Sequence, residues 1–190
     1  MSELPIIAVD DADALDRAEA ALRAGDAIVI PTDTVYGLAV LPGHEDLLAE
    51  LKERPAAMPI AVLVADPDAV ALPPLATTLA RAFWPGPVTL VVPAPDDEAT
   101  VGLRCPDDDF VRALTRRVGP MPTTSANRHG RPTPPTASEA AQSLARPPAL
   151  VVDGGRRDGV ASTVVDCSGA EAVVLREGAV SERSILAALS

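Results

Sequence analysis

Aromatic side chains are scarce in this sequence, whose 190 residues include two Phe, one Trp and one Tyr. Sheets that bind single-stranded RNA stack the bases on aromatic rings, and this chain has few rings for that purpose. Apolar residues make up 47% of the chain and are mainly Ala, Val and Leu. We therefore expect an aliphatic core built from strands and Ala-rich helices.

Cysteine and histidine are equally rare, with two residues of each type. Cys105 and Cys167 are far apart and fit no metal-binding or redox spacing, so we interpret them as reduced thiols of a cytoplasmic protein. The chain has too few such residues for a structural zinc site. His129 is a conceivable base for Ser125, but its loop of Arg, Gly and Pro favours simple solvent exposure.

The common nucleophile and nucleotide motifs are missing too. Ser125 and Ser162 lack the Gly-x-Ser-x-Gly context of a hydrolase elbow. Neither a P-loop nor a dinucleotide-binding glycine pattern occurs. Catalysis through these well-known local motifs is therefore not expected.

Positive charge is in deficit, because the formal net charge is -11. A protein that coats nucleic acid needs a broad basic face, whereas a local basic pocket for a nucleotide remains compatible with this charge. No stretch is long and apolar enough to cross a membrane, and the N-terminus lacks a basic region followed by an apolar one. We expect a cytoplasmic protein without a membrane partner.

Alternating helix and strand signals predict one α/β domain that covers residues 1–190. The predicted helices cover residues 10–24, 44–53, 75–83, 110–118, 136–145 and 181–189. The predicted strands cover residues 28–30, 59–64, 88–92, 100–105, 150–152, 162–166 and 173–175, and another runs into a polar turn within residues 120–127. Thr136 is the expected N-cap of its helix, with Glu139 at the capping-box position.

One segment joins a buried strand to a polar turn, with the sequence Ile28-Val29-Ile30-Pro31-Thr32-Asp33-Thr34-Val35-Tyr36-Gly37-Leu38. Open α/β sheets place ligand contacts at such strand ends. An ordinary Asx turn would account for the same residues, because Asp and Thr are good turn formers. The segment is therefore a candidate site only in combination with other motifs.

Four other motifs bring polar groups to the ends of predicted elements. They are Lys52-Glu53-Arg54-Pro55, Gly102-Leu103-Arg104-Cys105-Pro106, Thr123-Thr124-Ser125-Ala126-Asn127 and Ala161-Ser162-Thr163-Val164-Val165-Asp166. Each has an ordinary structural explanation, such as basic residues that balance a helix dipole. Together they supply hydroxyls, an amide and three cations, which suit a phosphate-bearing ligand with an amino-acid part.

The motifs also resemble those of a known family. Between residues 12 and 178, the sequence is similar to the YrdC/TsaC family in five ordered segments, which are Pro31-Thr32-Asp33-Thr34-Val35-Tyr36-Gly37-Leu38, Lys52-x-Arg54-Pro55, Trp84-Pro85-Gly86-Pro87-Val88-Thr89-Leu90, Thr124-Ser125-Ala126-Asn127 and Ser162-Thr163-Val164-Val165-Asp166. The resemblance implies a twisted, mixed α/β sheet with flanking helices and a concave, locally positive cavity. Members with this pattern are threonylcarbamoyl-AMP synthases, and we expect the short, single-domain type.

The resemblance implies substrates and partners as well. L-threonine, bicarbonate or CO2, and ATP would be joined into threonylcarbamoyl-AMP with release of pyrophosphate. Mg²⁺ would bridge the triphosphate, held mainly by ATP oxygens. Asp33, Asp153 and Asp166 are the candidate carboxylates for assistance, without a choice among them. Proteins that transfer the threonylcarbamoyl group to tRNA would use the product, and direct RNA binding stays an open question.

The resemblance assigns roles residue by residue. It gives ATP the residues Lys52, Arg54, Thr100, Asn127 and Arg176, and it gives threonine the residues Thr34, Arg104, Ser125 and Ser162. Lys52 and Arg54 would be the catalytic cations of a Lys-x-Arg…Ser-x-Asn signature, and Arg104 would pair with the threonine carboxylate.

The sequence departs from the family pattern at positions that bear on nucleotide binding, and two alternatives to the synthase stay open. Met58 stands where many members have a polar residue, Leu63 stands where some have a histidine, and the loop at residues 132–136 is rich in proline. One alternative is a paralogue of the same fold with another nucleotide-dependent activity. The other is an RNA-binding module, which would use the arginines Arg112, Arg116, Arg117, Arg128 and Arg131.

Overall fold

A single mixed sheet of ten strands forms the centre of the computed structural model, which describes residues 4–55, 58–94 and 99–190. In chain order the strands are β1 (Ile6–Ala8), β2 (Ile28–Ile30), β3 (Gly37–Ala39), β4 (Ala61–Leu63), β5 (Val88–Pro93), β6 (Thr100–Arg104), β7 (Met121–Ser125), β8 (Leu150–Asp153), β9 (Thr163–Asp166) and β10 (Val173–Arg176). The α-helices are α1 (Ala14–Arg23), α2 (Glu45–Lys52), α3 (Pro74–Phe83), α4 (Asp109–Val118), α5 (Ala137–Gln142) and α6 (Glu182–Ala187). A short 3-10 helix covers Pro67–Ala69.

The strands follow the order β1-β8-β2-β3-β7-β4-β6-β5-β9-β10 across the sheet. Four neighbouring pairs are parallel, namely β1–β8, β2–β8, β4–β6 and β5–β9, and the other five are antiparallel. The predicted class, α/β with a mixed sheet and flanking helices, is confirmed. None of the helices in the described part of the chain is long and apolar enough to span a membrane.

Three clusters of buried apolar residues attach the helices to the sheet. One joins α1 and α4 to β2 and β8, the second joins α2 and α5 to β3, and the third joins α3 and α6 to β5. Their members are almost all aliphatic, and Phe110, Tyr36 and Trp84 are the aromatic exceptions. The expectation of an aliphatic core is confirmed.

Two strands were not predicted from the sequence. The strands β1 and β3 each contain three residues, too few for an alternating pattern to be recognised. Their partners define them, since β3 lies between β2 and β7 and is hydrogen-bonded to both.

The ends of several predicted elements also differ from the structure. The first helix begins at Ala14 and not at residue 10, and the last two helices end at Gln142 and Ala187. The strand expected over residues 59–64 is confined to Ala61–Leu63. Thr136 is confirmed as an N-cap, because its hydroxyl accepts a hydrogen bond from the Glu139 amide.

Candidate functional site

A cavity of about 680 Å³ lies on one face of the sheet. Strand β5 shows how the two faces are divided, because Thr89 and Val91 line the cavity while Val88, Leu90 and Val92 are buried in the core beneath. Successive side chains of a strand point to opposite faces, so this alternation aims every second residue at the cavity. Strands β4, β6, β7, β9 and β10 and the turn between β2 and β3 complete its lining.

Small residues form the cavity floor. The strand registers align Asp166, Val91, Gly102, Ala61 and Thr123 in one row across five neighbouring strands. Glycine and alanine occupy two adjacent places in this row, on β6 and β4. Larger side chains there would project into the space that the cavity occupies. The sequence thus creates the depression by placing its smallest residues where the sheet is not covered by a helix.

The side chain of Arg104 is held at three points at the end of β6. Its Nε donates to the Gly86 carbonyl oxygen (3.1 Å), Nη1 donates to Thr34 Oγ1 (3.0 Å) and Nη2 donates to Asp33 Oδ1 (2.5 Å). Arg104 is buried, yet it lines the cavity. The ion pair with Asp33 is short and charge-assisted, which gives the guanidinium a defined orientation.

The Trp84-Pro85-Gly86-Pro87 motif supplies one of these three contacts. Trp84 Nε1 donates to the Val88 carbonyl oxygen (2.7 Å), which fixes the start of β5. A Cβ atom at position 86 would collide with the Phe83 carbonyl oxygen, so the turn requires glycine there. The motif therefore delivers the Gly86 carbonyl to Arg104.

Ser162, Arg176 and Thr89 form another part of the cavity wall. The Ser162 and Thr89 hydroxyls lie 2.9 Å apart, and Arg176 Nη2 donates to the Ser162 carbonyl oxygen (2.7 Å). Burial, and secondly the nearby Arg104, lower the pKa of Arg176. Thr100 reaches the cavity from the exposed start of β6. This wall combines two hydroxyls with a second cation.

Lys52 lies behind the turn that follows β7. It is the only lysine in the sequence and is 3% exposed. Its Nζ donates to the Ser125 carbonyl oxygen and, at 2.8 Å each, to the Asn127 carbonyl oxygen and Oδ1. The Ser125 hydroxyl lies 2.5 Å from the same Oδ1. Ser125 lines the cavity, whereas Lys52 and Asn127 contact Ser125 without lining the cavity themselves.

Arg54 follows the left-handed C-cap residue of α2, Glu53, whose φ is 50°. It is 9% exposed, and its Nη2 donates to the Met58 carbonyl oxygen (3.2 Å). Its buried Nε has no acceptor within the described ranges. Burial lowers the pKa of Arg54. Buried donors without an acceptor are rare in native proteins, which makes Arg54 a candidate for binding a ligand.

Six of the nine predicted site residues therefore line one cavity, namely Thr34, Thr100, Arg104, Ser125, Ser162 and Arg176. Lys52, Arg54 and Asn127 do not line it, although Lys52 and Asn127 contact Ser125 directly. The structure thus brings together in one cavity the four residues predicted to bind threonine. Lys52, the lysine of the Lys-x-Arg motif, lies outside the cavity lining and contacts Ser125.

Sequence reasoning missed Arg157, which lies in the loop between β8 and β9. Its Nε donates to the Thr32 carbonyl oxygen (2.8 Å) and its Nη1 to the Gly154 carbonyl oxygen (2.7 Å). Its Nη2 lies 3.4 Å from Asp108 Oδ2. These contacts tie the loop to the turn that carries Thr34. An arginine in a Gly-rich stretch gives no periodic or motif signal that could have revealed this.

Tyr36 anchors the start of the same loop. Its hydroxyl lies 2.6 Å from the Gly155 carbonyl oxygen and 3.1 Å from Asp153 Oδ1, and it accepts from the Gly154 amide. Burial raises the pKa of Tyr36 to about 12. The tyrosine of the Thr-Val-Tyr-Gly motif therefore has a structural function in the cavity wall.

The three candidate carboxylates occupy different surroundings. Asp33 pairs with Arg104, Asp153 accepts from the Gly155 amide (2.8 Å), and Asp166 accepts from the Ser168 amide (2.8 Å). Of the three, Asp166 alone lines the cavity. Among the residues that the structure describes, no group of three or more His, Cys, Asp and Glu side chains could hold a metal ion.

The arginines that kept an RNA-binding alternative open are mostly engaged with acids. Arg112 and Arg116 share Asp66, while Arg117 contacts Asp16 and Arg128 contacts Glu53. These ion pairs leave little free positive charge on α4 for phosphates. The RNA-binding alternative is not favoured.

His129 does not serve as a base for Ser125 in this structure. Its side chain is exposed, and it makes no hydrogen bond to Ser125, both residues belonging to the described ranges. The expectation of simple solvent exposure is confirmed.

Comparison with known proteins identifies the family. The family model Sua5_yciO_yrdC, described as "Telomere recombination", matches residues 20–178. The chain is 40% identical over 182 residues to "Putative threonylcarbamoyl-AMP synthase" of Mycobacterium tuberculosis (strain ATCC 25618 / H37Rv), an alignment that covers 87% of this chain and 84% of that protein. It is 35% identical over 192 residues to "Threonylcarbamoyl-AMP synthase" of Bacillus subtilis (strain 168), covering 91% of this chain and 56% of that one.

A solved structure shares both the fold and part of the sequence. The structure of Pyrococcus abyssi Sua5 complexed with L-threonine superposes with a TM-score of 0.87 at 29% identity, covering 99% of this chain and 61% of that one. The chain thus spans somewhat more than half the length of the Bacillus and Pyrococcus proteins. The family match covers most of the chain and agrees with the five sequence motifs, so this protein belongs to the Sua5/YciO/YrdC family.

Proposed function

We propose that this chain is a threonylcarbamoyl-AMP synthase, which condenses L-threonine, bicarbonate or CO2, and ATP and releases pyrophosphate. The observation that carries the proposal is the cavity, where two arginines and several hydroxyls converge on one uncovered patch of the sheet. Its volume lies within the usual range for small-molecule sites. Relatives similar over most of this chain bear the synthase name.

L-threonine is proposed to bind against Thr34, Arg104, Ser125 and Ser162. Arg104 would take the carboxylate, because a guanidinium matches the planar geometry of a carboxylate with two parallel hydrogen bonds. The three hydroxyls line the same cavity and can bond the amine and the side-chain hydroxyl of the ligand. The Sua5 structure that resembles this chain was determined with L-threonine.

ATP is proposed to bind through Arg54, Thr100, Asn127 and Arg176. Thr100 and Arg176 line the cavity, and Arg176 adds positive charge to it. Arg54 and Asn127 lie outside the cavity lining, and Arg54 is included for its unmatched buried donor. Lys52 would support this part of the site through the Ser125–Asn127 turn that its ammonium holds. Its charge would also favour phosphates at that end of the cavity.

The reaction needs no covalent enzyme intermediate. The neutral amine of threonine attacks CO2 and releases a proton to solvent, which gives a carbamate anion. An oxygen of this carbamate then attacks the α-phosphorus of ATP and displaces pyrophosphate. All reactants after the first step are anions, so alignment and charge neutralisation govern the barrier. The fixed cations and hydroxyls of the cavity would supply both.

Mg²⁺ is proposed to enter as part of the substrate MgATP. Asp166 is the one candidate carboxylate on the cavity floor, and Mg²⁺ in nucleotide sites keeps mostly phosphate and water ligands. Proteins that pass the threonylcarbamoyl group to tRNA would be the users of the product.

The defining experiment is an assay of pyrophosphate and AMP formation from ATP with each co-substrate omitted in turn. We expect turnover to require L-threonine and bicarbonate together, because the attacking carbamate exists only when both are present. Equal turnover without threonine would reject the synthase and favour a paralogue with another nucleotide-dependent activity.

A second prediction concerns Arg54. Arg54→Ala should raise the KM for ATP about tenfold to a hundredfold, because one charge-assisted hydrogen bond to phosphate is worth roughly 1.5–3 kcal/mol. Arg54→Lys should recover little of this, since a point charge does not reproduce the planar fork. Arg81→Ala is the control for the loss of an arginine, because Arg81 is exposed on α3 whereas Arg54 is buried.

The KM for ATP should be measured together with the thermal unfolding midpoint of each variant. A lower midpoint with an unchanged KM for ATP would mean that Arg54 serves the fold and not the nucleotide.

A further inference from the structure

Asp33 lies directly behind the arginine that faces the cavity. Its Oδ1 accepts from Arg104 Nη2, and the two side chains are 12% and 8% exposed. Arg104 lines the cavity, and so do Thr32 and Thr34 on either side of Asp33, but Asp33 itself does not. The carboxylate is therefore aimed at the guanidinium and away from the ligand space.

The turn that carries Asp33 is itself held firmly. The Thr32 hydroxyl donates to the Val35 carbonyl oxygen (2.6 Å) and accepts from the amides of Thr34 and Val35 (3.2 Å each). Arg157 fixes the Thr32 carbonyl from the neighbouring loop. An acceptor on so constrained a turn can fix the orientation of a long, flexible side chain.

A count of donors shows what remains for a ligand. A guanidinium has five N–H groups. Gly86, Thr34 and Asp33 accept one each, from Nε, Nη1 and Nη2 respectively. One N–H on Nη1 and one on Nη2 have no acceptor in the part of the chain that the structure describes. Two donors on adjacent nitrogens of a cavity-lining guanidinium match the two oxygens of one carboxylate.

We propose that Asp33 is a positioning residue, which orients Arg104 so that its two remaining N–H donors receive the carboxylate of the amino-acid substrate. This inference rests on the proposed function. A simple stabilising role for the ion pair would not distinguish between ligands with and without a carboxylate.

The test compares L-threonine with L-threoninamide, which lacks the carboxylate, by calorimetric titration of the full chain. The variants are Asp33→Ala, which removes the acceptor, and Asp33→Asn, which keeps an oxygen in its place. Asp66→Ala is the control, because it removes an aspartate from partly exposed ion pairs with Arg112 and Arg116, outside the cavity lining.

For Asp33→Ala we expect the Kd for L-threonine to rise about tenfold or more, the equivalent of one misdirected charge-assisted hydrogen bond. The Kd for the amide should stay nearly constant, so that the preference for the carboxylate collapses. Asp33→Asn should keep most of the preference for L-threonine over L-threoninamide, and Asp66→Ala should keep all of it.

The outcomes against the proposal are distinct. Equal losses of affinity for both ligands would assign Asp33 to the fold. Unchanged binding of L-threonine by Asp33→Ala would show that Asp33 does not orient Arg104 for the substrate, and tighter binding would show that Asp33 opposes the substrate. Each of these results would overturn the inference while leaving the proposed function in place. Failure of the unaltered protein to bind L-threonine at all would overturn the proposed function and this inference together.

Discussion

Replacing Arg104 with alanine is expected to lower kcat/KM for L-threonine by roughly a hundredfold to ten-thousandfold. Under the proposed function, the variant would lose two charge-assisted hydrogen bonds to the substrate carboxylate, each worth roughly 1.5–3 kcal/mol. Arg104→Lys should restore little activity, because an ammonium cannot satisfy Gly86, Thr34 and Asp33 and still present a fork to the ligand. Initial rates of pyrophosphate release over a threonine series would measure the loss.

Stability needs a separate control in this case. Arg104→Ala leaves Asp33 largely buried without its cation, and breaking a buried ion pair from one side destabilises a protein by about 3–5 kcal/mol. The double variant Asp33→Ala/Arg104→Ala removes both charges and should recover part of the unfolding midpoint without recovering activity. Recovery of activity along with the midpoint would mean that Arg104 acts through the fold and does not bind the substrate.

The sequence predicts the elements of this fold well where the pattern is local. Strand β2 has an uninterrupted apolar run before Pro31, and its predicted limits agree with the structure. Thr136 and Glu139 also define the start of α5 by local hydrogen bonds. Strands β1 and β3 escaped prediction, because three residues carry no periodicity and only their partners make them strands.

The site shows the same division between local and distant information. The motifs identify Thr34, Arg104, Ser125 and Ser162, and the structure gathers all four into one cavity. The sequence does not reveal that the carboxylate of Asp33 faces Arg104, because that contact joins positions 71 residues apart.

The same limit applies to Lys52, at the end of α2. Basic residues are common in the last turn of a helix, where its dipole favours them, so its position gives no hint of a buried ammonium. Its acceptors lie at the last residue of β7 and in the turn that follows, at residues 125 and 127. Assigning a role to such a residue requires the packing of distant segments, which no spacing in the sequence encodes.

Lys52→Met is expected to reduce activity and stability together. The substitution removes the donor from the Ser125 and Asn127 carbonyl oxygens and from Asn127 Oδ1. Each buried acceptor left without a donor destabilises the fold by roughly 1–3 kcal/mol, and the Ser125 hydroxyl loses its fixed direction. Activity that survives while the unfolding midpoint falls would mean that the turn tolerates this change without affecting the cavity.

The pH dependence of stability gives the sharper test of Lys52. Burial, and secondly the nearby Arg54, lower the pKa of Lys52 from 10.5 to about 8. Between these two values the unfolded chain binds more protons than the folded chain. The contribution of Lys52 to the free energy of unfolding therefore rises with pH, by up to about 1.4 kcal/mol per pH unit. The difference between the unaltered protein and Lys52→Met should grow across this window and level off above it.

Other groups that titrate in alkali do not obscure this difference. Burial raises the pKa of Tyr36 to about 12 and the pKa values of Cys105 and Cys167 to about 11. All three groups are present in both proteins, so their contributions cancel in the stability difference. Because Lys52 is the only lysine, ¹⁵N-lysine labelling would give a single side-chain resonance whose midpoint reports its pKa in the folded protein. A midpoint near 10.5, or a stability difference that is flat between pH 8 and 10.5, would mean that burial does not lower the pKa of Lys52 in the folded protein.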